Sequence, residues 1–162
     1  MRVEYINPFV EASYQTLLML LEGTRIKRGD LYLKPQAQNT MGVVALVGLA
    51  GAIEGRVIFD MTVDTAIRIS EKMNGEKFET FDELAKATIT ELANIITAQS
   101  ITRLHELGFR FDLTPPALFV GDNMKIAALS DNNLGATEAL IIPFETDLGK
   151  MEVNISVRER TT

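Results

Sequence analysis

The stretch GVVALVGLAGAIEGRVIFDM, residues 42–61, contains two apolar runs joined by a short turn with glycine. Both runs are rich in the β-branched residues that favour strands, and the Gly-Ala turn within Leu49–Ala52 is typical of a hairpin. We therefore predict antiparallel strands over residues 42–49 and 52–61. A further extended segment precedes them at residues 31–38, and Pro35 indicates that it lies at a sheet edge, where a missing backbone donor is tolerated.

Helix signals stand on both sides of this hairpin. Asn7 before Pro8 predicts the start of a first helix at about residues 8–22, which Gly23 ends before a polar turn at residues 24–30. After the hairpin, Thr62 is a predicted N-cap for a shorter helix, and Gly75 is its predicted stop.

A long third helix is predicted from about residue 80 to Leu107. The sequence Thr80-Phe81-Asp82-Glu83 indicates a capping box, in which Thr80 and Glu83 each satisfy a free backbone N–H of the other. Gly108 is expected to end the helix.

The rest of the chain predicts strands separated by polar turns. The predicted strands are residues 116–121, 124–130, 135–145 and 150–159, with turns at 121–123, 131–135 and 146–149. Helices and strands thus alternate in blocks, which favours an α+β fold with a mainly antiparallel sheet and the helices packed on one face. With 162 residues, the chain is expected to form one domain over residues 1–162.

Composition narrows the function classes. The formal net charge of −6 disfavours binding to a nucleic-acid phosphate backbone, so no nucleic acid is expected as a partner. The absence of cysteine excludes disulfides and thiolate metal sites, and a single histidine makes a His-based metal site or a Ser-His triad a poor candidate. No basic signal segment and no apolar run of about 20 residues is present, which predicts a cytoplasmic protein without a membrane span.

The long helix carries two polar side chains at an unusual place. With Leu92 as the centre of the buried face and about 100° per residue, the side chains within about 60° of it form the predicted core stripe. That stripe consists of Ala85, Thr88, Ile89, Ile95, Ile96 and Gln99. Glu91 and Asn94 fall about 100° and 160° from Leu92 and therefore point outward.

Ala87 and Ala98 lie on the same outward side, about 140° and 120° from Leu92. We call Ala87, Glu91, Asn94 and Ala98 the exposed strip. Methyl groups one turn from the polar pair let another protein approach the helix closely. Polar residues on an exposed helix face are also ordinary, so the spacing alone names no chemistry.

The chain resembles the CheC/CheX/FliY family of chemotaxis phosphatases, and CheX in particular. The resemblance is carried by the sequence ELAN at Glu91–Asn94, by Thr-Pro-Pro at Thr114–Pro116 and by INPFVEA at Ile6–Ala12, and it spans nearly the whole chain. It implies hydrolysis of the aspartyl phosphate of a CheY-type response regulator, with Glu91 and Asn94 as the catalytic residues. Four residues before the Glu, the family often has Asp or Ser, whereas this chain has Ala87. Four residues after the Asn, the family often has Gly, whereas this chain has Ala98. We expect both differences to affect the choice of partner.

The resemblance also implies the cofactors and the number of sites. The receiver domain supplies its own Mg²⁺ and lysine, so no cofactor or metal is expected on this chain. Some relatives carry a second Glu-x-x-Asn on the first helix, whereas this chain has EASY at Glu11–Tyr14, so one site per chain is implied. Family members pair through sheet edges, and the run at residues 135–145, which carries little edge-blocking charge, leads us to expect a homodimer through such an edge.

Two alternative functions remain open at this stage. One is a docking module of the same fold that binds a response regulator or a flagellar component without hydrolysis, and the other is a ligand-sensing domain, for which no convergent polar pocket is evident. His105 fits the carboxyl end of a helix better than a catalytic role. Asp131–Asn133 lacks the spaced acidic ligands of a calcium loop and predicts a turn.

Overall fold

The structure is a computed structural model that describes residues 3–35, 38–126 and 138–159. The helices in these ranges are α1 (Val3–Leu20), α2 (Val63–Asn74) and α3 (Glu83–Glu106). The strands are β1 (Ile26–Arg28), β2 (Tyr32–Pro35), β3 (Gln38–Asn39), β4 (Val43–Gly51), β5 (Ile53–Met61), β6 (Phe111–Leu113), β7 (Ala117–Val120), β8 (Lys125–Ile126), β9 (Glu138–Thr146) and β10 (Gly149–Glu159).

Eight of these strands form one antiparallel sheet. Their order is β1-β9-β10-β5-β4-β6, with β2 also paired to β9 and β7 also paired to β4. β3 and β8 form a separate two-stranded ribbon. The α+β fold class predicted from the sequence is confirmed, while the predicted domain limits of 1–162 include residues outside the described ranges and stay a prediction.

The predicted hairpin is the centre of the sheet. β4 and β5 pair from Val43 opposite Met61 to Leu49 opposite Gly55. Gly55 has a positive φ of 151°, and a Cβ there would lie 1.9 Å from the carbonyl oxygen of Ser156 on β10. Only glycine therefore allows β10 to pair along the full length of β5.

One face of the sheet and the three helices share a single apolar core. Alternate residues of the central strands point into it because side chains alternate across a strand. On the strands, the core includes Val43, Ala45, Val57, Phe59, Met61, Ile142, Phe144, Met151, Val153 and Ile155. On the helices it includes Phe9, Leu17, Ala66, Ile69, Ile89, Leu92 and Ile96, which confirms that the helices cover one face.

The first helix begins earlier than the sequence indicates. α1 starts at Val3, so Pro8 lies inside the helix and Asn7 is not its cap. Proline at this position removes one backbone donor from the helix. In the turn before it, Tyr5 packs edge-on against Phe109 with ring centroids 4.8 Å apart. Gly23 adopts a positive φ of 83° in the turn after the helix.

Two short strands were not predicted. The segment containing Ile26–Arg28 was expected to be a turn, but it pairs with β9, and Phe111–Leu113 pairs with β4. Three residues are too few to show a period of their own, and long-range backbone pairing decides their conformation. The described part of the strand predicted at 124–130 contains β8. Residues 127–130 and the turn at 131–135, with its Asp131–Asn133, lie outside the described residues.

Two segments were predicted to lie at sheet edges, and only one of them does. Pro35 lies in β2, beside β9 and at the outside of the sheet, which confirms its assignment to an edge. The described part of the run predicted at 135–145, residues 138–145, is not an edge, because β9 pairs with β10 on one side and with β1 and β2 on the other. The reason given for pairing through that run is therefore wrong.

The Thr-Pro-Pro segment divides the other edge of the sheet. Thr114 exchanges two hydrogen bonds with Gly48 of β4: its backbone N–H donates to the Gly48 carbonyl at 3.0 Å, and its Oγ1 accepts from the Gly48 N–H at 2.8 Å. Pro115 and Pro116 have no N–H to donate, so ladder pairing stops and resumes at β7. The segment therefore separates β6 from β7 along β4.

Candidate functional site

The helix that carries the exposed strip is capped by an aspartate. The Asp82 side chain accepts a hydrogen bond from the Ala85 N–H at 2.9 Å, so Asp82 is the N-cap and the predicted box between Thr80 and Glu83 is wrong. The aspartate carboxylate reaches the third free N–H directly, which leaves Thr80 outside the helix. The predicted end is confirmed, since Leu107 is the C-cap and Gly108 has a positive φ of 93°.

The buried face of α3 is turned somewhat from its predicted centre. Its buried residues are Ala85, Thr88, Ile89, Leu92, Ala93, Ile96, Thr97, Ser100, Ile101 and Leu104. Gln99, predicted in the core stripe, is exposed, and Ile95 is only half-buried. The face is turned toward the side that carries the buried Ala93, Ile101 and Leu104. Thr97 and Ser100 are tolerated on that side because their hydroxyls donate to backbone carbonyls four residues earlier at 2.7 and 2.8 Å, which removes the penalty for burying them.

The exposed strip is where the sequence places it. Ala87, Glu91, Asn94 and Ala98 are all exposed to solvent on α3. No hydrogen bond or ion pair to another described residue holds the Glu91 carboxylate or the Asn94 amide. The pair therefore retains its full capacity to bind something outside the chain: two carboxylate oxygens from Glu91, and one acceptor and two donors from Asn94.

The helix under the strip is fixed from two sides. The Asn74 amide of α2 donates to the Thr88 hydroxyl at 2.9 Å near the amino end of α3. Near the carboxyl end, the Arg103 guanidinium donates to the Glu11 carboxylate at 2.9 Å and also to the Gln15 side chain on α1. These contacts support the helix without using the strip, so its polar pair stands on a rigid element.

Glu11 is thus engaged in an ion pair with Arg103 and lies in the EASY stretch that replaces a second Glu-x-x-Asn. His105 is half-buried in the last turn of α3, as its assignment to a helix end predicts. Within the described ranges, no group of three or more His, Cys, Asp or Glu residues is placed to hold a metal ion. The expectation that this chain needs no metal stays a prediction.

A second polar cluster, which was not predicted from the sequence, lies on the sheet face opposite the helices. Glu152 of β10 stands directly across from Asp60 of β5, and both side chains are buried. The Glu152 carboxylate accepts from the Tyr32 hydroxyl at 2.8 Å and from the Lys34 ammonium at 3.3 Å, and Asp60 accepts from the Met41 N–H at 2.9 Å. Alternation within the strands could have placed both acids on one face, but their burial depends on tertiary packing.

Burial raises the pKa of Asp60 from 3.8 to about 6, and the charge of neighbouring Glu152 adds to the increase. The hydrogen bond from the Met41 N–H acts in the opposite direction. Both acids are engaged with residues that surround them, so the cluster ties β2 and the segment before β4 to the sheet. We assign it a structural role.

The class of molecule defined so far is an α+β domain that presents a glutamate and an asparagine, three residues apart, on the open side of a rigid helix. The family model for the chemotaxis phosphatase CheX matches residues 43–145, which include all of α3. None of the described helices is long and apolar enough to cross a membrane.

Relatives with known sequence or structure agree with this match. The CheY-P phosphatase CheX of Thermotoga maritima is 30% identical over 127 residues, which is 78% of this chain and 81% of that protein. The CheX of Borrelia burgdorferi, solved in a CheX-CheY-BeF3-Mg²⁺ complex, is 40% identical with a TM-score of 0.81, over 98% of this chain and 100% of that one. A CheC-like superfamily protein from a Shewanella species is 28% identical with a TM-score of 0.83, over 98% and 99% of the two chains.

The chain belongs to the CheX family.

Proposed function

We propose that this chain is a phosphatase that hydrolyses the aspartyl phosphate of a CheY-type response regulator. The observation that carries the proposal is the exposed, unengaged pair Glu91 and Asn94 on α3 in a member of the CheX family. A 40%-identical relative forms a complex with CheY, and a 30%-identical relative is a CheY-P phosphatase.

Asn94 is the proposed water-positioning residue. An aspartyl phosphate is a reactive mixed anhydride, so catalysis requires mainly a water held in line with the phosphorus. The Asn94 amide can accept from that water and donate to it or to a phosphoryl oxygen, and it takes no proton at neutral pH. It therefore acts as a positioner and not as a base.

Glu91 is proposed to align the receiver domain on the helix. Its carboxylate lies one turn before Asn94 and can pair with the active-site lysine of the receiver domain by a charge-assisted hydrogen bond. Ala87 and Ala98 flank the pair with methyl groups only, which lets the receiver approach the helix backbone. The receiver supplies Mg²⁺, this chain contributes no cofactor, and the reaction takes place in the cytoplasm.

The test is the rate of phosphate loss from a phosphorylated CheY-type receiver domain of the same organism. We expect the wild-type protein to accelerate this loss and Asn94→Ala to lower the rate about a hundredfold, which is about 2.7 kcal/mol of barrier. Asn94 is exposed and alanine favours a helix, so stability and receiver binding should stay close to wild type.

Gln99→Ala is the matched control, because Gln99 is an exposed amide on the same helix that lies outside the exposed strip. It should keep wild-type turnover. If Asn94→Ala binds the receiver and also turns over normally, the phosphatase proposal for the strip is wrong, and a docking module without hydrolysis takes its place.

We also propose that the protein forms a homodimer through a sheet edge. β7 supports this, because it carries no charged residue and its Phe119 and Val120 are 50% and 46% exposed. Such an edge can extend a sheet with a second copy.

Light scattering after gel filtration at tens of micromolar protein should give a dimer mass for the wild type. Val120→Lys should shift the mass toward the monomer. Leu33→Lys, which alters an equally apolar and 57% exposed residue on β2 at the opposite edge, should not. A monomeric wild type would contradict the homodimer.

A further inference from the structure

Leu84 is a large apolar side chain at the amino end of α3 that is 47% exposed. It lies outside the hydrophobic core cluster, so the fold does not use it as the other leucines of α3 are used. By rotation of about 100° per residue, Leu84 falls within about 20° of Glu91, two turns earlier on the same side of the helix. It therefore continues the line of the exposed strip.

A partner that binds Glu91 and Asn94 must also reach Leu84. A specific protein interface covers about 800 Å² on each partner, which corresponds to a disc of about 16 Å radius. Leu84 lies about 13 Å along the axis from the midpoint of Glu91 and Asn94, at about 1.5 Å per residue. A receiver domain centred on the polar pair is therefore large enough to reach Leu84.

The carboxyl end of the helix offers no equivalent contact. Leu107 is 59% exposed, but it lies about 22 Å from the same midpoint and, by rotation, about 160° away from Glu91. Ala98 and Thr102, which follow the strip toward that end, are small or polar and exposed. Among the residues of α3, Leu84 is thus the only large apolar side chain that is exposed.

We infer that Leu84 is a specificity-determining residue, an apolar anchor that the phosphorylated receiver buries when its active site engages Glu91 and Asn94. The inference rests on the proposed function and deepens it. The matching receiver presents an apolar side chain toward the amino end of α3. A receiver with a charged side chain at that place is disfavoured, because the charge would lose its hydration against Leu84 without gaining a partner.

Leu84 acts on binding alone, since it lies too far from Asn94 to touch the reacting atoms. Its removal should therefore raise KM and the dissociation constant together and leave kcat unchanged. Asn94→Ala is expected to lower kcat and to leave KM and the dissociation constant unchanged. This difference separates an anchor from a residue that positions water.

The experiment compares Leu84→Ala and Leu84→Lys with Leu107→Ala and Leu107→Lys as matched controls on the same helix. Binding is measured to a CheY-type receiver domain of the same organism activated with beryllofluoride and Mg²⁺, and turnover to the phosphorylated form. We expect Leu84→Ala to weaken binding about tenfold, from lost apolar burial, and Leu84→Lys to weaken it further. Both Leu107 variants should bind as wild type does, and all four should unfold at wild-type denaturant concentration.

If both Leu84 variants bind the receiver with wild-type affinity, the inference about Leu84 is wrong. If the wild type hydrolyses the phosphoryl group in the same experiment, the proposed function still holds. Equal weakening by the Leu107 variants also overturns it. If the wild type binds the receiver without hydrolysis, the proposed function is wrong, yet the Leu84 affinities still decide the inference. If the wild type neither binds nor hydrolyses, both are wrong.

Discussion

The two faces of α3 treat polar groups in opposite ways. On the buried face, the hydroxyls of Thr97 and Ser100 are each bonded to a carbonyl of the same helix. On the exposed strip, Glu91 and Asn94 have no partner among the described residues. On α3, the buried hydroxyls are satisfied within the helix, whereas the exposed polar pair is left to solvent, because water solvates it at little cost until a partner arrives.

The sheet also buries polar groups. Asp60 and Glu152 are buried polar groups like those of the inner face of α3, but they are ionisable, and burial disfavours the charge on Asp60. The exposed strip and the buried polar groups should therefore respond differently to substitution. Changes on the strip should alter activity or binding, and changes inside should alter stability.

The largest effect on free energy is expected from Leu92→Ala. Leu92 follows Glu91 in the chain but lies on the buried face of α3, so the substitution tests that face. Leu92 is 1% exposed in the core, so its truncation should lower the free energy of unfolding by about 3 kcal/mol. Turnover per folded molecule should not change. Urea unfolding and a phosphatase assay on the same sample measure the two quantities, and a loss of turnover in a folded variant would contradict the separation of the two faces.

Asp60→Asn should stabilise the protein at neutral pH. The folded state holds the Asp60 pKa near 6 against 3.8, so it favours the protonated form, and the stability linked to that proton is present below 3.8 and lost as pH rises through about 6. An amide avoids the buried charge and still accepts from the Met41 N–H. We expect a gain on the order of 2 kcal/mol at pH 7.

That gain should shrink toward zero near pH 4, where Asp60 is protonated in the folded protein, and urea unfolding at several pH values checks this. A gain that does not vary with pH would show that the Asp60 charge is not its source. Turnover at pH 7 should be unchanged, since the cluster lies on the sheet face opposite the helices.

Glu91→Ala should have the smallest of these effects and should appear in binding. Loss of one charge-assisted contact with the receiver lysine is expected to weaken binding about tenfold, roughly 1.4 kcal/mol. Stability should change by less than about 0.5 kcal/mol, because Glu91 is exposed and alanine suits a helix. Titration with a beryllofluoride-activated receiver measures the affinity. Unchanged affinity would remove Glu91 from the interface and leave Asn94 as the one polar contact of the strip.

Local signals in the sequence determined several features of this protein. The central hairpin, the capped helix from Thr62 to Gly75, the carboxyl end of α3 and the outward direction of Glu91 and Asn94 depend on side-chain period, caps and glycine. These act within a few residues, so they can be recognised without the rest of the chain.

Only the tertiary structure decided the remainder. Ile26–Arg28 and Phe111–Leu113 become strands because β9 and β4 offer them free backbone groups. Gln99 is exposed because α3 packs through the side that carries Ala93, Ile101 and Leu104. β9 is interior because strands far apart in sequence pair on both of its sides. The buried acids Asp60 and Glu152, and the apolar Leu84 left beside the exposed strip, likewise depend on which surfaces meet in space, which no local period encodes.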